Sequence, residues 1–155
     1  MKIRSYQESD CVEITDLFHG SVHSIDNSAY SKEELEAWSP TPPDYGFWKQ
    51  RLEIKQPFVA CENNIIIGFI ELELDGHIDC LYVHKHHQGL GVANGLLQHT
   101  LIVAIERGIS YLYVEASKVA VPLFKKYGFN LQQSNKVKLR GELLTNYSMS
   151  LTLKP

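Results

Sequence analysis

The period of the apolar positions changes several times along the chain, and each change predicts an element. Lys2 to Tyr6 alternates polar and apolar residues as a short strand does. Ser9-Asp10 then supplies a cap, and Val12, Ile14, Leu17, Phe18 and Val22 recur at roughly helical spacing. From Ser31, the run Ser-Lys-Glu-Glu-Leu-Glu-Ala-Trp predicts a second helix, with Ser31 and Glu34 as its capping box. The prolines of Ser39-Pro40-Thr41-Pro42-Pro43 end it, and Phe47 to Ile54 has room for one or two further turns.

The middle of the chain reads as β. Pro57–Glu62 and Ile65–Leu74 form a hairpin about Asn63-Asn64, and His77–Val83 returns after Asp75-Gly76 as a third antiparallel strand. A polar loop, His84 to Gly91, leads to a helix over Val92–Arg107 that Gly108 terminates. Tyr111–Glu115 reads as a strand, Val119–Tyr127 as a helix stopped by Gly128, and two strands near Phe129–Gln133 and Tyr147–Leu153 close the chain. The expected class is α/β: a mixed, largely antiparallel central sheet flanked by helices, with the helix from Val92 as a crossover.

Length and charge narrow the function. The 155 residues fit one domain spanning 1–155, and no stretch concentrates lysine or arginine at a formal net charge of −3. A nucleic-acid partner is therefore disfavoured. Ile65–Ile70 is broken by Gly68 and is too short to cross a bilayer, and the N-terminus lacks the apolar run of a secretory signal. Cys11, Cys61 and Cys80 are odd in number and widely spaced, so they read as reduced thiols of a cytoplasmic protein.

The informative segment runs from Leu81 to Ala93. A strand enters a loop whose glycines allow close backbone approach, and a helix begins at once, so its unpartnered first amides suit a pyrophosphate. Gly89, Gly91 and Gly95 partly match a dinucleotide fingerprint, with Glu115 placed as a ribose-binding acid. Five polar residues separate Val83 from Gly89, however, where a dinucleotide turn follows its strand directly. Gln88-x-x-Gly91-x-Ala93 instead resembles the Gln/Arg-x-x-Gly-x-Gly/Ala motif of the GNAT acetyltransferases. Ala120 and the run Leu123-Phe124-Lys125-Lys126-Tyr127-Gly128-Phe129 resemble that family's aromatic helix ending in Gly-Phe.

That resemblance implies acetyl-CoA, as acyl-donor cosubstrate, in a wedge between the strands ending at Val83 and Glu115. Leu81 and Val83 would pair with its pantetheine, and the amides of Gln88, Gly89, Leu90, Gly91, Val92 and Ala93 would hold the pyrophosphate. Ser117 stands where many members carry an asparagine, and Phe124 where many carry a tyrosine acid. Phe124 is expected against the thioester, but its ring has no proton to donate. For the base, His77 and Asp79 share a strand face, and Glu115, Glu71 and Glu73 are further carboxylates. His23 and Trp38 are the expected acceptor-pocket residues, in a stretch resembling a poorly characterised bacterial subgroup. No metal is expected: His84, His86 and His87 form one loop cluster without a second ligand group. The implied reaction is direct N-acetyl transfer to a small-molecule or peptide amine in a ternary complex, with a homodimer left open. A non-catalytic acyl-CoA-binding module and a dinucleotide-binding oxidoreductase are the alternatives.

Overall fold

The computed structural model describes residues 1–154. Its strands are β1 (Lys2–Ser5), β2 (Phe58–Glu62), β3 (Ile65–Leu72), β4 (His77–Val83), β5 (Tyr111–Ser117), β6 (Asn130–Leu139) and β7 (Glu142–Thr152). They form one sheet in the order β1-β2-β3-β4-β5-β7-β6. Every neighbouring pair is antiparallel except β4 and β5, which run parallel. The helices are α1 (Cys11–His23), α2 (Lys32–Trp38), α3 (Tyr45–Lys55), α4 (Val92–Glu106) and α5 (Val121–Lys126). The mixed, largely antiparallel α/β architecture expected from the sequence is the one observed.

Local chemistry explains the junctions. Asn63 and Asn64 both take positive φ, 51° and 63°, as a two-residue hairpin turn that matches strand twist demands. Ser31 accepts from the Glu34 amide while Glu34 reaches back to the Ser31 amide, which completes the predicted capping box of α2. No helix among the described residues is long and apolar enough to cross a membrane.

Two apolar cores cover the two faces of the sheet. Ile14, Phe18, Leu35, Trp48, Leu52, Phe69 and Cys80 pack on the side of α1, α2 and α3. Ile67, Ile70, Leu96, Leu97, Leu112, Val114, Phe124 and Met149 pack on the side of α4 and α5. Central β3 is buried from Ile66 to Leu72, and Gly68 lets α4 sit directly on it. A Cβ at Gly68 would stand 2.9 Å from side-chain atoms of both Val92 and Leu96 and 3.1 Å from the Tyr82 carbonyl.

Four spans differ from their sequence expectation. α3 fills the whole of Tyr45–Lys55, capped by Asp44, whose carboxylate accepts from the Phe47 amide. α5 is shorter than expected, six residues with Pro122 in its first turn. The last two strands are much longer, forming a hairpin that turns at Arg140-Gly141.

Candidate functional site

A bulge in β4 creates the site. Opposite β3, Ile70 pairs with Leu81 but Leu72 pairs with Ile78, so two steps on β3 face three on β4. The extra residue leaves His77, Asp79, Cys80 and Tyr82 toward α1–α3, while Ile78, Leu81 and Val83 face α4 and α5. A bulge bends its strand and raises local twist. Accordingly β4 pairs with β5 at His77–Tyr113 and Ile78–Val114. β5 meanwhile stays paired with β7 through Ser117. The two parallel strands therefore splay into a wedge.

A cleft of about 500 Å³ fills the open end of that wedge. Leu81, Val83, Gln88, Gly89, Gly91, Val92, Ala93 and Ser117 all line it, joined by His87 and Asn94. Eight of the ten residues expected to hold a cofactor thus meet on one surface. Gly91 is the N-cap of α4 at φ 86°, and no side chain caps that helix. Its first-turn amides and the positive end of its dipole stand free toward the cleft. A Cβ at Gly89 or Gly91 would meet nothing within 4 Å, so both glycines border open space.

Two of the ten stand elsewhere. Leu90 lies between the positive-φ glycines, which turn its side chain outward to 71% exposure, away from the cleft lining. Phe124 is 2% exposed and stacks edge-on against Phe129 at 5.1 Å. It borders a gap of about 70 Å³ at the apex, between Cys80–Tyr82 and Val114–Ser117, rather than the cleft.

On the far side of the apex lies a second chamber of about 530 Å³. Phe18, Trp38, Phe47, Trp48 and Tyr82 give it an aromatic wall, and Arg51, Asp79 and Cys80 its polar floor. Trp38 and Tyr82 border the cleft, the gap and the chamber alike. The Trp38 indole N–H donates to the Tyr82 hydroxyl at 3.2 Å, which fixes both rings at the junction. Burial pushes the Tyr82 hydroxyl well above the usual tyrosine range, so it keeps its proton. Trp38 thus stands at the junction of the three spaces. His23 does not: it borders a separate open groove, with Nε2 2.7 Å from the Ser39 carbonyl.

The expected bases are bound into an ion-pair chain beneath α3. His77 Nδ1 lies 2.6 Å from Glu73 and Nε2 2.8 Å from Glu115. Burial opposes the imidazolium, but the two carboxylates outweigh it and hold the His77 pKa above the ordinary value. Both His77 nitrogens thus face carboxylates, and His77 is not among the residues lining the chamber. Glu115 is its counter-ion on the same face. Asp79 receives Arg51 and Lys55, each at 2.9 Å. Burial pushes its carboxyl up, but Lys55 and Arg51 bring it below the usual range. Glu71 is fully buried, 2.7 Å from Arg51, and burial keeps its pKa raised. Glu73, His77 and Asp79, and likewise Glu71, Asp79 and Cys80, bring potential metal-donor atoms within 4.8 Å of one another. Arg51 and Lys55 pair with Glu71 Oε1, Asp79 Oδ2 and Glu73 Oε2 in these same groups.

Sequence reasoning did not find Tyr82, Arg51 or Lys55. The i, i+4 spacing of Arg51 and Lys55 on a helix is their one visible signal.

Comparison with known proteins returns one consistent answer. The family profile described as an acetyltransferase (GNAT) domain matches residues 26–151. YafP of Escherichia coli K12, an uncharacterized N-acetyltransferase, is 32% identical over 149 residues, 96% of this chain and 94% of its own. A GCN5-related N-acetyltransferase from Rhodopseudomonas palustris superposes with a TM-score of 0.92 at 32% identity, covering 98% of this chain and 95% of that one. The yncA protein of Salmonella typhimurium, solved with acetyl-CoA, has the same fold, with a TM-score of 0.74 at 22% identity, covering 100% and 95% of the respective chains.

Proposed function

The chain belongs to the GNAT acetyltransferase family, and we propose that it transfers an acetyl group from acetyl-CoA directly to a primary amine on an acceptor with an aromatic or apolar body. The unit that does so is the whole of 1–155, acting as one domain. Family membership removes the dinucleotide-binding oxidoreductase.

The observation that carries this reading is that Trp38 and Tyr82 border the cleft, the apex gap and the chamber alike. A thioester reaching the apex from the cleft meets a nucleophile arriving from the chamber, so neither has to leave before the other binds. This arrangement supports direct transfer in a ternary complex. Acetyl-CoA bound to yncA is consistent with an acyl-CoA in the corresponding cleft here. The pyrophosphate lies against the α4 amides around Gly91, and the pantetheine arm runs along the edge of β4 that β5 has left. Ser117 borders the arm from the opposite wall.

The substrate's two ends are recognised differently. Five aromatic rings make stacking the main contribution to acceptor binding, with about 0.5–1.5 kcal/mol for each well-placed aromatic pair beyond area burial. Holding amine and thioester together supplies much of the rate, since orientation alone is worth up to roughly 7–11 kcal/mol. As the nitrogen attacks the carbonyl carbon, the N–C bond forms and the C–S bond breaks. Phe124 offers no proton, so the departing thiolate takes one from water in the apex gap.

The test is thiol release from acetyl-CoA across a panel of arylalkyl, alkyl and peptidyl amines. Arylalkyl amines should show the highest kcat/KM, with intersecting initial-rate patterns. Acetyl-CoA binding without thiol release from any amine would favour the non-catalytic module.

A further inference from the structure

We propose that Ser39 and His19 form a relay that takes the proton of the acceptor amine, an inference that rests on the acetyltransferase reading above. The ion-pair chain under α3 engages Asp79 with Arg51 and Lys55, and Asp44, the other carboxylate of the chamber, caps α3, yet an alkylamine arrives as an ammonium and must lose a proton before it can attack. Ser39 is the remaining polar residue of the chamber wall whose side chain leads to a histidine.

Ser39 ends α2 and is held from three sides. Its amide donates to the Leu35 carbonyl at 2.9 Å, and its own carbonyl lies 2.7 Å from His23 Nε2. Its hydroxyl lies 2.7 Å from His19 Nδ1. His19 and His23 are one turn apart on α1, with ring centroids 4.3 Å apart. Beyond His19 the bonds run in one direction. The Thr41 hydroxyl donates to Glu36 Oε2 at 2.9 Å, so toward His19 Nε2, 3.3 Å away, it presents only a lone pair. Nε2 therefore carries the hydrogen, Nδ1 carries the lone pair, and Ser39 donates to it. This is the orientation of a serine coupled to a base that a third group orients.

The charges around His19 keep it ready. Burial and the neighbouring His23 lower its pKa, against the opposing pull of Glu36 and Asp16. Tyr45, on α3, donates to Asp16 at 2.5 Å, and Arg140, from the β6–β7 turn, donates to the Ala37 carbonyl on α2. Burial thus favours the neutral imidazole.

In the reaction, the ammonium gives one proton to Ser39 Oγ as the serine's own proton passes to His19 Nδ1. The freed nitrogen lone pair attacks the thioester carbon and the C–S bond breaks. The second nitrogen proton ends, through water, on the thiolate, and His19 returns the first to solvent. The products are the amide, CoA thiol and one released proton.

Two measurements test the relay. Nitrogen-resolved NMR of histidine-labelled protein should show His19 as the Nε2–H tautomer at pH 7, titrating below the ordinary histidine value. An Nδ1–H tautomer would overturn the proposal without reference to any substrate. In steady state, His19→Asn and Ser39→Ala should each lower kcat/KM for an alkylamine by about 10²-fold at pH 7 and abolish the acidic limb of its pH profile. Hydroxylamine, already neutral at that pH, should react with both variants within a few fold of the unaltered enzyme. Alkylamine losses no greater than those for hydroxylamine, with acetyl-CoA still bound in calorimetry, overturn the relay alone. An unaltered protein that binds no acetyl-CoA overturns the acetyltransferase reading and the relay with it.

Discussion

Replacing Arg51 by methionine should destabilise the protein by an amount that grows with pH. Arg51 Nη2 stands 2.7 Å from Glu71 Oε1 and 2.9 Å from Asp79 Oδ2. Asp79 retains Lys55 at 2.9 Å in the variant, but Glu71 is wholly buried and has no other cation. Breaking a buried pair from one side typically costs about 3–5 kcal/mol. For a chain of this size that is a drop in Tm on the order of 10 °C.

The sign with pH follows from Glu71. Its pKa is raised in the folded state, and loss of Arg51 raises it further. A raised carboxyl contributes stability below its unfolded value, near about 4.3, and loses it as pH climbs through the folded value. Asp79 adds in the same direction, because Arg51 helps to lower its pKa. The deficit of Arg51→Met should thus be small near pH 4 and full by pH 8, read by urea unfolding at each pH. The double variant Arg51→Met/Glu71→Leu should recover most of the loss at pH 8. Arg51 Nε and Glu71 Oε2 have no hydrogen-bond partner, so the pair is an imperfect one to begin with. A deficit under about 1 kcal/mol, or one equal at both pH values, would refute the reasoning.

Two further substitutions probe the same frame. His77→Gln removes a cation whose folded pKa is raised, so the stability gap to the unaltered protein should be widest at pH 5.5–6 and close as pH rises through that pKa; thermal melts at stepped pH check it. Gly68→Val should push Val92 and Leu96 off the sheet, lowering Tm and weakening acetyl-CoA binding together; unchanged affinity would mean that the start of α4 does not hold the cofactor.

What the sequence disclosed was local. The Asn63-Asn64 turn, the Ser31–Glu34 box and the glycine start of α4 are each specified by neighbouring residues, and each stands where it was read. Most of the expected residues that line the β4–β5 cleft were legible because the Gln88-to-Ala93 motif spaces them closely. β6 was underestimated because Asn130–Leu139 is mostly polar and exposed, an edge strand supported by pairing with β7 more than by an apolar face. The ion-pair setting of His77 was not legible, for a different reason. Strand alternation places His77 and Asp79 on one face, but says nothing of α3 laying Arg51 and Lys55 across it. Ser39 likewise reads as the end of a helix, and its link to His19 exists only once α1 and α2 pack together.

The central claim is that acetyl-CoA lies in the β4–β5 cleft with its pyrophosphate on the start of α4. Titration calorimetry of acetyl-CoA into the unaltered protein and into Gly91→Glu tests it most directly. The substitution places a carboxylate where the phosphates should sit, at a φ of 86° that costs a side chain roughly 1–2 kcal/mol, so far-UV spectra and a melt accompany it. The account predicts binding to the unaltered protein and none detectable in a variant that remains folded. Equal affinity in a folded Gly91→Glu protein would contradict it.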